Sequence, residues 1–124
     1  MTDILLIDDM AGVRRAVVSM LTRAGHRVTA AESGSEGIDL LRSRRFDLVI
    51  TDMLMPGIDG ADILSEVGSM PNRPRMIAIS GGGAGVSAES ALRLARLKAD
   101  AFLEKPFDSE VLLAAVDRLL VKSP

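Results

Sequence analysis

Cysteine, tryptophan and tyrosine are all absent from this sequence, and phenylalanine occurs only three times. Without cysteine there is no disulfide, no thiolate metal ligand and no thiol nucleophile, and the chain suits a reducing, cytoplasmic setting. Without the large aromatics the core must be aliphatic, and there is nothing to stack against a flavin ring. No apolar run is long enough to span a bilayer, and the opening MTDILLIDD is too acidic for a secretory signal. A charge excess is missing too. The 15 Lys and Arg residues against 17 Asp and Glu leave a net charge of −2, so nothing draws the chain generically to nucleic acid or a membrane.

What is present fits one globular core: 124 residues, of which 48% are hydrophobic and 26% charged. Residues 1–121 read as a single domain and 122–124 as a short tail. Five short apolar runs alternate with five amphipathic segments. The strands are expected at Ile4–Ile7, Arg27–Ala31, Leu48–Thr51, Met76–Ile79 and Ala101–Leu103. Helical spacing of apolar residues fills the intervals. It runs from Met10 to Ala24, ending at Gly25. A second helix follows a cap at Ser33 or Ser35, and a third runs from Asp59 or Gly60 to Val67. The last two span Ser87 to Leu97 and the stretch after Asp108 or Ser109. A β-α unit repeated five times predicts parallel strands joined by right-handed crossovers. The expected fold is α/β: a flavodoxin-like (βα)5 three-layer sandwich with a five-stranded parallel sheet in the order 2-1-3-4-5.

Polar residues interrupt this pattern at one edge. Asp8 and Asp9 end the first strand, Asp52 the third and Ser80 the fourth, and Lys105 follows the fifth. Carboxylates are costly to bury unless paired or metal-bound. Three of them crowded together call for a cation. Oxygen donors with no His or Cys point to a hard ion such as Mg²⁺. A divalent ion beside one carboxylate, with a hydroxyl and an ammonium facing it, is suited to holding a phosphoryl group there, with Asp52 as the nucleophile.

The pieces LLIDDM, VITDMLMPGIDG, MIAIS and FLEKPF, in this order on five β-α units, resemble the receiver domain of bacterial two-component response regulators, and the likeness covers almost the whole chain. The resemblance implies that Asp52 accepts a phosphoryl group from a sensor histidine kinase or a histidine phosphotransfer protein. It implies that Asp9 binds Mg²⁺ directly, that Asp8 acts through metal-bound water, and that the Leu54 backbone carbonyl is a further metal ligand. Lys105 would bond the phosphoryl oxygens, with Pro106 often following through a cis bond. Ser80 would swing toward the phosphoryl group and Phe102 would turn inward as the aromatic switch. The switched surface would be the face made by the fourth helix, fifth strand and last helix, controlling a downstream protein target. The implied module is a phosphoacceptor rather than an enzyme, assisting only its own phosphorylation and dephosphorylation. It would touch neither nucleic acid nor membrane directly, and would be a monomer or a phosphorylation-dependent dimer.

The chain departs from the common pattern at two positions. Leu54, two residues after Asp52, is apolar where many members are polar, and Gly81 after Ser80 has no side chain; neither can orient an attacking water. Arg14 and Arg15 on the first helix read either as a solvated pair or as contacts to an acidic partner, since the family docks its phosphodonor there. His26 reads as a surface turn residue. Because the chain stops after the last helix, a stand-alone receiver is the leading expectation. The alternatives are a receiver excised from a longer DNA-binding regulator or hybrid kinase, and a small Mg²⁺-dependent phosphatase with an aspartyl nucleophile. The phosphatase would need a second acid/base and a substrate cap, neither of which is evident.

Overall fold

The strands form because their apolar runs are covered on both sides. The computed structural model describes residues 2–80 and 99–120. Its strands are β1 (Asp3–Ile7), β2 (Arg27–Ala31), β3 (Leu48–Asp52), β4 (Arg75–Ser80) and β5 (Ala101–Glu104). They make one parallel sheet in the order β2-β1-β3-β4-β5, the order the β-α repeat predicts. The described helices are α1 (Ala11–Arg23), α2 (Gly34–Ser43), α3 (Gly60–Gly68) and α4 (Ser109–Leu120). The helix expected over Ser87 to Leu97 and the glycine stretch from Gly81 to Gly83 lie outside the described residues. Among the described residues, no helix is long and apolar enough to cross a membrane.

Alternation along each strand sorts the core into two halves. Leu5, Ile7, Val49, Met76 and Ala78 pack on one face with Ile63, Leu64 and Val67 of α3 and Leu41 of α2. Ile4, Leu6, Ile50, Ile77 and Ile79 pack on the other with Val17 and Leu21 of α1 and Leu112 and Val116 of α4. Both faces being buried, strands β1, β3 and β4 read as unbroken apolar runs rather than alternating ones. β2 lies at the sheet edge and is more exposed.

Local chemistry sets the helix starts. The Ser33 side chain accepts from the Glu36 N–H at 3.1 Å to open α2. Asp59 and Asp62 form a reciprocal capping box at α3. Asp108 accepts from the Val111 N–H at 2.9 Å at the start of α4. α1 stops where Gly25 adopts φ +95°, a left-handed conformation open to glycine and strained for other residues.

Candidate functional site: a buried carboxylate pair bridged by one lysine

The β1–α1, β3–α3 and β5–α4 connections meet at the carboxyl edge of the sheet, where β1 and β3 are neighbours. Asp8 follows Ile7 directly and is fully buried; Asp52, the last residue of β3, is 4% exposed. These are two of the four buried polar or charged residues among those described, the others being Thr51 and Ser80. All four sit at this one edge.

Asp8 is held at four points. Its N–H donates to the Ala31 carbonyl at 3.1 Å. Its Oδ1 accepts from the Met10 N–H at 2.9 Å, just ahead of α1, whose N-cap residue, Met10, makes no side-chain cap bond. Its Oδ2 accepts from Lys105 Nζ at 3.3 Å, and its carbonyl accepts from Arg14 Nη1 at 2.8 Å. Asp52 Oδ1 accepts from the Leu54 N–H at 3.1 Å, and Oδ2 accepts from Lys105 Nζ at 3.2 Å. The Thr51 hydroxyl donates to the Asp52 carbonyl at 3.0 Å. Lys105 is itself placed by its N–H, which donates to the Ser80 carbonyl at 2.7 Å, and its peptide bond to Pro106 is cis.

One ammonium therefore serves two buried carboxylates, and the effect on each group differs. Burial pushes the Asp52 carboxyl above the usual aspartate value. The Leu54 N–H and the Lys105 charge pull it back and Asp8 adds to the rise, leaving the net shift upward. For Lys105, burial opposes the charge, but the attraction of Asp52 and Asp8 and its hydrogen bonds to both outweigh it, so its pKa is raised. The ammonium is thus well compensated and the Asp52 carboxylate is not.

Asp9 completes the cluster. It is exposed, and one oxygen from each of Asp8, Asp9 and Asp52 lies within 4.8 Å of the others. Three carboxylates face one ammonium. The oxygen-only donors and the charge deficit fit a hard divalent cation, for which Mg²⁺ is the usual choice when water can complete the shell. Ser80 is buried at the end of β4, in register with Glu104. Phe102 is half-buried on β5, paired in register with Ala78 and so on the sheet face covered by α2 and α3. Leu54 is 37% exposed beside Asp52, and Met10 is 56% exposed beside Asp9, so the mouth of the acidic notch has an apolar rim.

Of the residues read from the sequence, Asp8, Asp9, Asp52 and Lys105 thus converge, Ser80 and Leu54 join them through backbone groups, and Phe102 stands apart on β5. There is one addition. Arg14 is neither freely solvated nor simply displayed to a partner. Its side chain is 18% exposed, bonded to the Asp8 carbonyl and within 3.7 Å of Glu32. The spacing Asp8-to-Arg14, which brings the arginine back over the loop that precedes its helix, was the available signal. An arginine on an exposed-looking helix face does not by itself announce a backbone acceptor. His26 is half-buried.

The sequence matches the profile described as the response regulator receiver domain over residues 4–117. It is 34% identical over 121 residues, 97% of the chain, to the transcriptional regulatory protein GlrR of Escherichia coli, covering 26% of that protein. Similar folds include a response regulator receiver domain from Clostridium thermocellum (TM-score 0.85, 29% identity, 97% of this chain and 94% of that one). Another is the response regulator TrrA of Thermotoga maritima, solved in complex with Mg²⁺ and BeF (TM-score 0.83, 30% identity, 97% of this chain and 100% of that one). The chain spans from 26% to 55% of the length of curated relatives it matches.

Proposed function

Because the chain belongs to the response regulator receiver domain family, we propose that Asp52 accepts a phosphoryl group from a phosphohistidine on a sensor kinase or phosphotransfer protein, with Mg²⁺ held by Asp9, Asp52 and the Leu54 carbonyl and by Asp8 through water. The observation that carries this reading is the shared ammonium. Lys105 Nζ stands 3.2 Å and 3.3 Å from two buried carboxylates at the ends of separate strands, with Asp9 at the rim. In the transfer, a carboxylate oxygen of Asp52 forms the O–P bond as the donor's P–N bond breaks, and the imidazole leaves. When bound, the cation neutralises the carboxylates and the phosphoryl oxygens, which is most of what phosphoryl transfer requires. Lys105 then releases Asp52 and bonds the new phosphoryl oxygens. Charge-assisted bonds of this kind are worth about 1.5–3 kcal/mol each.

The Ser80 hydroxyl turns to the acyl phosphate as a second donor, and Phe102 follows into the space it leaves. That gain is large enough to reweight two arrangements a few kcal/mol apart. An apolar cleft of about 430 Å³ beside Lys105, lined by Val13, Ala16, Met20, Pro106 and Phe107, gives the phosphodonor a place to pack next to the site. The protein acts as a switch that a partner reads rather than as a catalyst with turnover, and it works in the cytoplasm.

The test is phosphorylation by a small acyl phosphate or phosphoramidate, read by intact mass. Wild type gains one phosphoryl group only with Mg²⁺, and Asp52→Asn gains none. Equal labelling of both overturns the reading. A second reading concerns context. The chain covers 26% of GlrR and 100% of the TrrA chain, so a receiver segment of a longer regulator stands beside a free-standing receiver. The length of the protein detected in cells by an antibody to this domain decides between them.

A further inference from the structure

We infer that Arg14 is a positioning residue for the cation site: it fixes the Asp8–Asp9 turn from behind and ties it to the loop that opens α2. This inference rests on the Mg²⁺-dependent reading above. Its basis is the bonding of Asp8. The two carboxylate oxygens of Asp8 look toward Met10 and Lys105, and its N–H is taken by Ala31. Only the carbonyl remains to fix the peptide that joins Asp8 to Asp9, and Arg14 Nη1 holds it at 2.8 Å. Asp9 is the exposed member of the carboxylate cluster and has the least support from packing, so the orientation of that peptide decides where its carboxylate points. Nη2 of the same guanidinium lies 3.7 Å from Glu32 Oε2. The Glu32 N–H in turn donates to Glu36 Oε1 at 3.2 Å, in the first turn of α2. One planar fork thus bridges the β1–α1 turn and the β2–α2 loop, which a point charge such as lysine cannot do at both ends.

The inference makes a prediction whose sign separates it from simple electrostatics. Arg14 is a cation near a cation site, so by Coulomb's law alone its removal tightens Mg²⁺ binding. A positioning role predicts the reverse, because groups that orient metal ligands typically carry tenfold or more in affinity. The chain has no Trp or Tyr for intrinsic fluorescence. Mg²⁺ alone is therefore titrated into ¹⁵N-labelled full chain, following the amides of Asp9, Met10 and Leu54. Arg14→Met keeps the aliphatic stem and removes the fork; it is expected to weaken Mg²⁺ about tenfold. Arg14→Lys retains the charge and one contact and is expected to lose about threefold. Arg15→Met removes the exposed neighbouring charge and is expected to leave binding unchanged or slightly tighter. Arg14→Met binding as tightly as wild type or tighter, or Arg14→Met and Arg15→Met losing affinity alike, overturns the inference while leaving the phosphoacceptor reading intact. If Arg14→Met does not fold, Arg14→Lys decides, and unchanged or tighter binding in it is equally fatal. Wild type that does not respond to Mg²⁺ overturns both.

Discussion

Asp52 holds a charge that its surroundings resist. Burial raises its pKa above the ordinary 3.8 despite the Lys105 contact. The linkage has a definite sign. A raised folded-state pKa means that Asp52 favours the folded state most where it is protonated, below its unfolded value. That contribution is lost as pH climbs from about 4 through the raised folded value. Lys105, raised above 10.5, favours folding across the neutral range and loses that contribution as pH rises from 10.5 through its raised folded value. Metal-free wild type should therefore lose stability as pH rises from about 4 toward neutrality more than Asp52→Asn does. At pH 7 without Mg²⁺ the variant should melt higher by about 3–6 °C, the equivalent of roughly 1 kcal/mol in a domain of this size. Thermal melts with chelator across that pH range check both statements, and a variant that melts lower at pH 7 refutes them. Leu54 bears on the other end of the cycle. Its side chain stands exposed beside Asp52 and has no group to orient a water. Leu54→Asn should shorten the lifetime of the phosphorylated protein several-fold, measured as decay of the phosphorylated mass; equal or slower decay counts against it.

Among the elements, strand and helix identities were plain in the sequence because burial on both sheet faces gives continuous apolar runs, while one-sided helices give a 3.6-residue period. Boundaries were less so. Ser33, Asp59 and Asp108 each stood beside a second capping candidate, and only the backbone shows which side chain reaches an orphan N–H. α1 differs in kind, since the one N–H seen to reach Asp8 is that of its N-cap residue, Met10, and no local Ser or Thr caps it. The same residue therefore serves the entry to the helix and the site, which no propensity rule anticipates. Close approach of elements was also illegible. A Cβ at Gly60 would come 2.5 Å from the Met53 Cα, so β3 and α3 can meet only around a glycine. Gly12 in α1 has nothing within 4 Å of that position. Gly60→Ala should therefore destabilise by about 1–3 kcal/mol and shift the Leu54 amide, because the loop bearing the site must move. Gly12→Ala should stabilise by about 0.5–1 kcal/mol through helix propensity. Denaturation midpoints of the two variants should move in opposite directions, and a shift of the same sign in both refutes the packing argument.

At the scale of the molecule, topology does what local sequence cannot. Asp8, Asp52 and Lys105 are 44 and 53 residues apart in succession along the chain, yet parallel β-α-β crossovers return every strand end to one edge. The strand order 2-1-3 makes β1 and β3 neighbours, so carboxylates at two strand ends share one lysine. This convergence followed from the repeat pattern alone. The bonding behind it, above all Arg14 to the Asp8 carbonyl, did not, because a backbone acceptor carries no residue code. On the proposed reading Mg²⁺ would bind only the folded arrangement, so millimolar Mg²⁺ should raise the melting temperature of wild type and barely that of Asp52→Asn. The most direct measurement is beryllofluoride titration, with and without Mg²⁺, followed by ¹⁵N amide shifts in wild type and Asp52→Asn. Saturable shifts at Leu54, Ser80 and Lys105 that need both Mg²⁺ and Asp52 are the predicted result. A silent wild type, or the same shifts in Asp52→Asn, would contradict it.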